Sequence, residues 1–146
     1  MAPRAPLLYH IWFHYIEPFC ALNGAYLAYF RPAAYLQMTL APSFDSTSEV
    51  SPATAYVMQQ FAAVLVFFGL VEGLMMRMTN DLKVQKVLML CMFAGDFFYL
   101  TALHGQGGSE WYYAQPWLWD GTAWGVFGSS WISLILRCGF LAGVGL

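Results

Sequence analysis

A chain of 146 residues that is 60% hydrophobic and only 10% charged cannot build a water-facing surface, because soluble domains carry roughly 25% charged residues. The net charge of −2 leaves no basic patch, which excludes a nucleic-acid partner. Three cysteines, Cys20, Cys91 and Cys138, sit in apolar runs and read as small buried hydrophobes; they make neither a disulfide framework nor a metal-type spacing.

In chain order, the first predicted helix covers 7–30. It follows a short proline-broken start (Met1, Pro3, Pro6) and carries His10, His14 and Glu17, which makes it a poor signal-peptide core and a retained span. A polar, Pro- and Ser-containing loop over 31–52 follows, with Asp45 and Glu49 as solvated charges. Predicted helices cover 53–76 and 82–103, joined by a tight turn over 77–81 whose Thr79, Asn80 and Asp81 offer an N-cap. Residues 104–121 contain Trp111, Tyr112, Tyr113, Trp117 and Trp119, an aromatic group suited to a bilayer interface or to a lid lying on it. A fourth helix covers 122–146. Each segment approaches the about 20 apolar residues that a span requires. The expected fold is all-α, an integral membrane four-helix bundle in one domain over 1–146.

Charge asymmetry orients that bundle. Arg4, Arg77, Lys83 and Lys86 share one side and Arg31 lies on the other, which places both termini in the cytosol, with insertion expected at the endoplasmic reticulum. The pairs Gly24 and Ala28, Gly69 and Gly73, and Gly139 and Gly143 are spaced for close helix packing.

The informative residues are charges inside the spans. Glu17, Glu72, Asp96 and Arg137 fall one per helix, and each costs about 2.5–3.5 kcal/mol at a helix centre. Counting helical rise puts Glu17, Glu72 and Arg137 in one layer and Asp96 one or two turns deeper. His10, His14 and Glu17 share a helix face. Pro18 lacks an N–H, which predicts a kink and a bare His14 carbonyl beside Glu17. A carboxyl group desolvated by apolar walls stays protonated and serves as a general acid. A second carboxylate beside Arg137 acts as general base or stabilises a cation. Such a pair can open an epoxide without a metal or a nucleotide cofactor, and the sequence offers a motif for neither.

The catalytic candidates are therefore Glu17, Asp96 and Glu72. Substrate-binding or pKa-tuning candidates are His14, Arg137, Asn23, Tyr99, Asp120 and Trp131; Gln59 and Gln60 are further polar residues of uncertain face. The bland readings stand beside these. An ion pair with Arg137 can simply fix bundle register, His10 and His14 can bond backbone carbonyls, Asp120 can cap the fourth helix, and Trp131 can be packing rather than a cation-stacking face.

The run Tyr15-Ile16-Glu17-Pro18-Phe19-Cys20-Ala21-Leu22-Asn23-Gly24-Ala25-Tyr26 with Pro32, Tyr35, Leu36 and Pro42, and the later Glu72, Arg77 to Leu82 and Asp96, resemble a group of small fungal four-helix membrane proteins of unassigned function. The architecture is more loosely similar to fungal membrane-bound terpene cyclases and to the emopamil-binding, sterol isomerase fold. That resemblance implies acidic residues in a membrane pocket that protonate an epoxide or a double bond, at Glu17, Glu72 and Asp96. This chain is shorter than the terpene cyclases, which leaves the substrate open. The expected activity is acid/base epoxide opening, cyclisation or isomerisation of a lipophilic polyketide or terpenoid in fungal secondary metabolism. Its partners are that small molecule and membrane lipid. The alternatives are a non-enzymatic sterol- or lipid-binding or scaffolding protein, and a proton pathway that requires the chain to form homo-oligomers.

Overall fold

The computed structural model describes residues 6–40, 49–104 and 112–146, and among these every regular element is helical. Arg4, Asp45, Glu110 and Trp111 lie outside the described residues. We number five helices. The first, α1, runs continuously over 7–30 as Leu7–Ile11, a π-helical turn at Trp12–Ile16, and Glu17–Phe30. Helix α2 is Pro32–Leu40, α3 is Pro52–Met78 and α4 is Leu82–Ala102. Helix α5 covers Gly121–Ala142 and contains a second π-helical turn at Trp124–Gly128. Between α4 and α5, Tyr112–Ala114 and Pro116–Leu118 form single 3₁₀ turns.

Local chemistry sets these boundaries. Ser51 accepts the Thr54 N–H at 3.1 Å, and Pro52 occupies the first helical position, where its missing N–H costs nothing. Asp81 accepts the Lys83 N–H at 2.8 Å and starts α4. Helix α5 stops at Ala142, four residues short of the span expected from apolarity. Gly143 takes a left-handed φ of 81°, and the Val144 N–H returns to the Gly139 carbonyl at 2.9 Å. Gly143 is thus a helix terminator and not half of a packing pair. The 31–52 loop also requires correction, because its first part is α2. Pro32 opens that helix instead of breaking it, and Ala33, Ala34, Leu36, Gln37 and Met38 are good helix formers.

Three helices, Pro52–Met78, Leu82–Ala102 and Gly121–Ala142, are long and apolar enough to cross a membrane. The outer surface agrees: Leu7, Phe19, Phe98 and Met78 are each more than 70% exposed, a pattern suited to lipid. Helix α1 is as long but carries His10, His14, Glu17 and Asn23, and it is not among the three. Cys20, Cys91 and Cys138 are free and face outward instead of lying buried.

The helices associate as two pairs. Helix α1 lies along α3, where a Cβ on Gly69 would stand 3.2 Å from Ala21 and one on Gly73 would stand 3.3 Å from Pro18. Small residues therefore set that contact, with Ala25, Ala28 and Ala62 buried farther along it. Helix α4 lies on α5, with Leu100, Leu103, Ala123 and Phe127 in their shared core. The pairs meet near the chain ends through Tyr9, Phe13, Met76, Met89 and Phe140. Beyond that contact they separate around a cavity.

Candidate functional site

Arg137 enters the bundle from α5 and is 2% exposed, among the most buried side chains described. Its Nη2 donates to Glu17 Oε1 of α1 and to Glu72 Oε1 of α3, the latter at 3.2 Å, and its Nη1 donates to Asp96 Oδ2 of α4. One guanidinium therefore collects a carboxyl from each of the three other long helices. A planar fork of five donors suits this task, and a lysine ammonium would not. Asp96, expected one or two turns deeper than the others, joins the same cluster through Arg137 Nη1. Counting rise fixes where a Cα lies, and the long arginine side chain closes the remaining gap.

Two atoms of this cluster are buried without a hydrogen-bond partner: Glu17 Oε2 and Arg137 Nε. Ser133, one turn before Arg137, accepts from Trp12 Nε1 at 2.9 Å and stands beside Glu17. The Phe13 ring lies 5.9 Å from the guanidinium carbon and shields it from below.

The cluster forms one end of a cavity of about 640 Å³ between the two helix pairs. Ala21, Leu27, Leu65, Phe68 and Met92 give it mostly apolar walls, and α2 closes the other end with Tyr35, Met38 and Thr39. That size and character suit a small lipophilic ligand. Among the described residues no group of His, Cys, Asp and Glu converges with metal-ligand geometry, since the carboxyls converge on a guanidinium.

The structure brings together Glu17, Glu72, Asp96 and Arg137, with Asn23 and Tyr99 on the same cavity wall. It does not bring His14, Asp120 or Trp131 to that wall. His14 faces the outer groove between α1 and α3. Its Nε2 donates to the Met76 carbonyl at 2.9 Å, which fixes the tautomer, and its ring stacks on His10 at 4.0 Å. Asp120 caps α5, accepting the Ala123 N–H at 2.7 Å. Trp131 donates to the Tyr113 carbonyl at 2.9 Å and packs in the α4–α5 core. Gln59 and Gln60 face outward. Of the connecting aromatics, Trp117 is 76% exposed, whereas Trp119 turns inward to donate to the Tyr112 carbonyl at 2.8 Å.

Two participants escaped the sequence reading. Arg77 takes the His14 carbonyl at 2.6 Å, so that acceptor is not bare, and it also donates to the Gly73 carbonyl at 3.0 Å. Its guanidinium lies over the Tyr15 ring at 4.9 Å. The irregularity ahead of Pro18 is a π-helical turn, a usual way to absorb a lost helical bond. The signal was present, since a proline in a span always leaves a carbonyl that needs a donor. The second participant is Tyr35, hidden in what read as loop.

The chain belongs to the family described as "Domain of unknown function (DUF7704)", whose model matches residues 2–146. No curated protein and no solved structure matches it.

Proposed function

We propose that this protein is a membrane-embedded, cofactor-independent acid/base enzyme. It would open an epoxide, or cyclise or isomerise, a lipophilic polyketide or terpenoid of fungal secondary metabolism. The observation that carries this is three carboxyls and one guanidinium at the polar end of an otherwise apolar cavity. One guanidinium balances one carboxylate, and a net charge buried among membrane helices is costly. On this reading the other two carboxyls are neutral acids. The chain is then a four-span bundle, with α1 as the fourth span, resident in the endoplasmic reticulum with both termini cytosolic.

The chemistry needs one acid and one base. A neutral carboxyl gives its proton to the epoxide oxygen as the C–O bond breaks. The carboxylate takes the proton of a hydroxyl or water whose oxygen forms the new C–O bond at the opened carbon. Proton exchange across the cluster restores the starting state. Glu17 is the leading acid, because its Oε2 is buried and unpartnered while Oε1 is held by Arg137. Asp96 and Glu72 share the base role, and Arg137 keeps one of them ionised.

Conversion of an epoxidised lipophile by membranes carrying the protein tests the reading. Glu17→Gln, Glu72→Gln and Asp96→Asn are each expected to lower the rate, by about 10²–10⁴-fold at the residue that moves the proton. Full activity in all three variants eliminates it. A second reading is favoured by the same contacts. All three carboxyls touch Arg137, as in an ion knot that only holds the bundle around a bound sterol or other lipid. Tight binding of an unaltered lipid without turnover selects that alternative.

A further inference from the structure

Acid/base chemistry occupies one end of the cavity. The end closed by α2 holds a second polar feature that this chemistry does not use. Tyr35 of α2 and Tyr99 of α4 both line the cavity, with their hydroxyls close enough to interact. Tyr99 follows Asp96 by one turn on the same face, about 4.5 Å farther along the axis. The Tyr35 ring is held in place by Phe61, edge-on with centroids 5.8 Å apart, and by Gly24, whose added Cβ would stand 3.9 Å away.

The other hydroxyls of the wall are already committed. Thr39 donates to the Tyr35 carbonyl at 2.9 Å, Ser129 to the Gly125 carbonyl at 2.6 Å and Ser130 to the Val126 carbonyl at 2.9 Å. Ser133 belongs to the acidic end. A phenol pair differs. Between two phenols at most one O–H is used on the other oxygen, so at least one proton is kept for a third group. Among the described residues nothing else takes that proton. Burial, reinforced by the neighbouring Tyr99, pushes the Tyr35 phenol up, so the pair remains a neutral donor.

We propose that the Tyr35–Tyr99 pair is a second ligand-binding point that donates one hydrogen bond to an oxygen of the lipophilic ligand. The ligand class is then narrower than "lipophilic": a neutral molecule with two oxygen functions, one facing the carboxyl cluster and one facing the tyrosines. This rests on reading the cavity as the ligand chamber. A molecule with a single oxygen satisfies only one end, and the leftover phenol proton is then buried without a partner, which is unfavourable.

Binding of two unreactive probes to the full chain in nanodiscs tests this. One is a long-chain dialkyl tetrahydrofuran, and the other is the same ether bearing a hydroxyl two carbons from the ring. Wild type is expected to bind the hydroxylated ether about fivefold to tenfold tighter, the worth of one neutral hydrogen bond. At least one of Tyr35→Phe and Tyr99→Phe is expected to abolish that preference, and both to leave affinity for the plain ether unchanged. Equal binding of the two ethers by wild type overturns the proposal, as does a preference that survives in both variants. Loss of plain-ether binding in the Phe variants also overturns it, since the pair would then only shape the cavity. Neither probe can be turned over, so an inactive cavity would defeat the acid/base reading and leave this result intact.

Discussion

Two arginines reach α1, and they do opposite work. Arg77, at the end of α3, donates to two main-chain carbonyls, those of His14 and Gly73, and lies over Tyr15 on the outer groove. Arg137, inside the bundle, donates only to side-chain carboxyls. The first is a staple, since its partners cannot change charge and it steadies a helix turn disturbed by Pro18. The second ties three ionisable groups to one cation, so its partners can exchange protons. The same guanidinium meets amide oxygens in one place and ionisable acids in the other.

Breaking Arg137 should have the largest effect. Arg137→Met leaves three buried carboxyls without a cation and is expected to cost about 3–5 kcal/mol, read as a lower unfolding midpoint in detergent micelles. Arg137→Lys should recover only part of that, because an ammonium cannot span the three carboxyls. Arg77→Met should cost less, about 1–3 kcal/mol for two hydrogen bonds to carbonyls. Helix α1 should then exchange its amides faster around the π-helical turn, with turnover per folded molecule retained. A loss of turnover as large as that of Glu17→Gln would erase the contrast between the two arginines. Asp120→Ala should be smallest, about 1 kcal/mol for a lost N-cap, again without a change in turnover. A large activity loss there would return Asp120 to the site.

Much of this was readable from residue order. Apolar length located the four helical runs to within a few residues, and the cost of buried charge singled out Glu17, Glu72, Asp96 and Arg137. The rest depended on things a linear pattern does not carry. Helix α2 was masked because Pro32 reads as a breaker out of context and as a starter at a first helical position. The π-helical turn at Trp124–Gly128 was not visible, because it shifts the register by one residue without any composition signal, whereas Pro18 announced an irregularity at the first one but not its form. His14, Asp120 and Trp131 were drawn toward the site by residue type, whereas their bonds go to Met76, Ala123 and Tyr113. Tyr35 was missed because its partner, Tyr99, lies on another helix 64 positions away, and pairing across a cavity leaves no local spacing.

The claim that the cluster holds proton-bearing acids, and not three carboxylates knotted to one arginine, is tested most directly by infrared spectroscopy of the carboxyl C=O stretch. The full chain would be measured in nanodiscs near neutral pH, in light and heavy water. A protonated-carboxyl band should be present in wild type, shift on deuteration, and weaken in Glu17→Gln or in one of Glu72→Gln and Asp96→Asn. A spectrum with no protonated-carboxyl band would contradict the account and leave Arg137 as a structural tie.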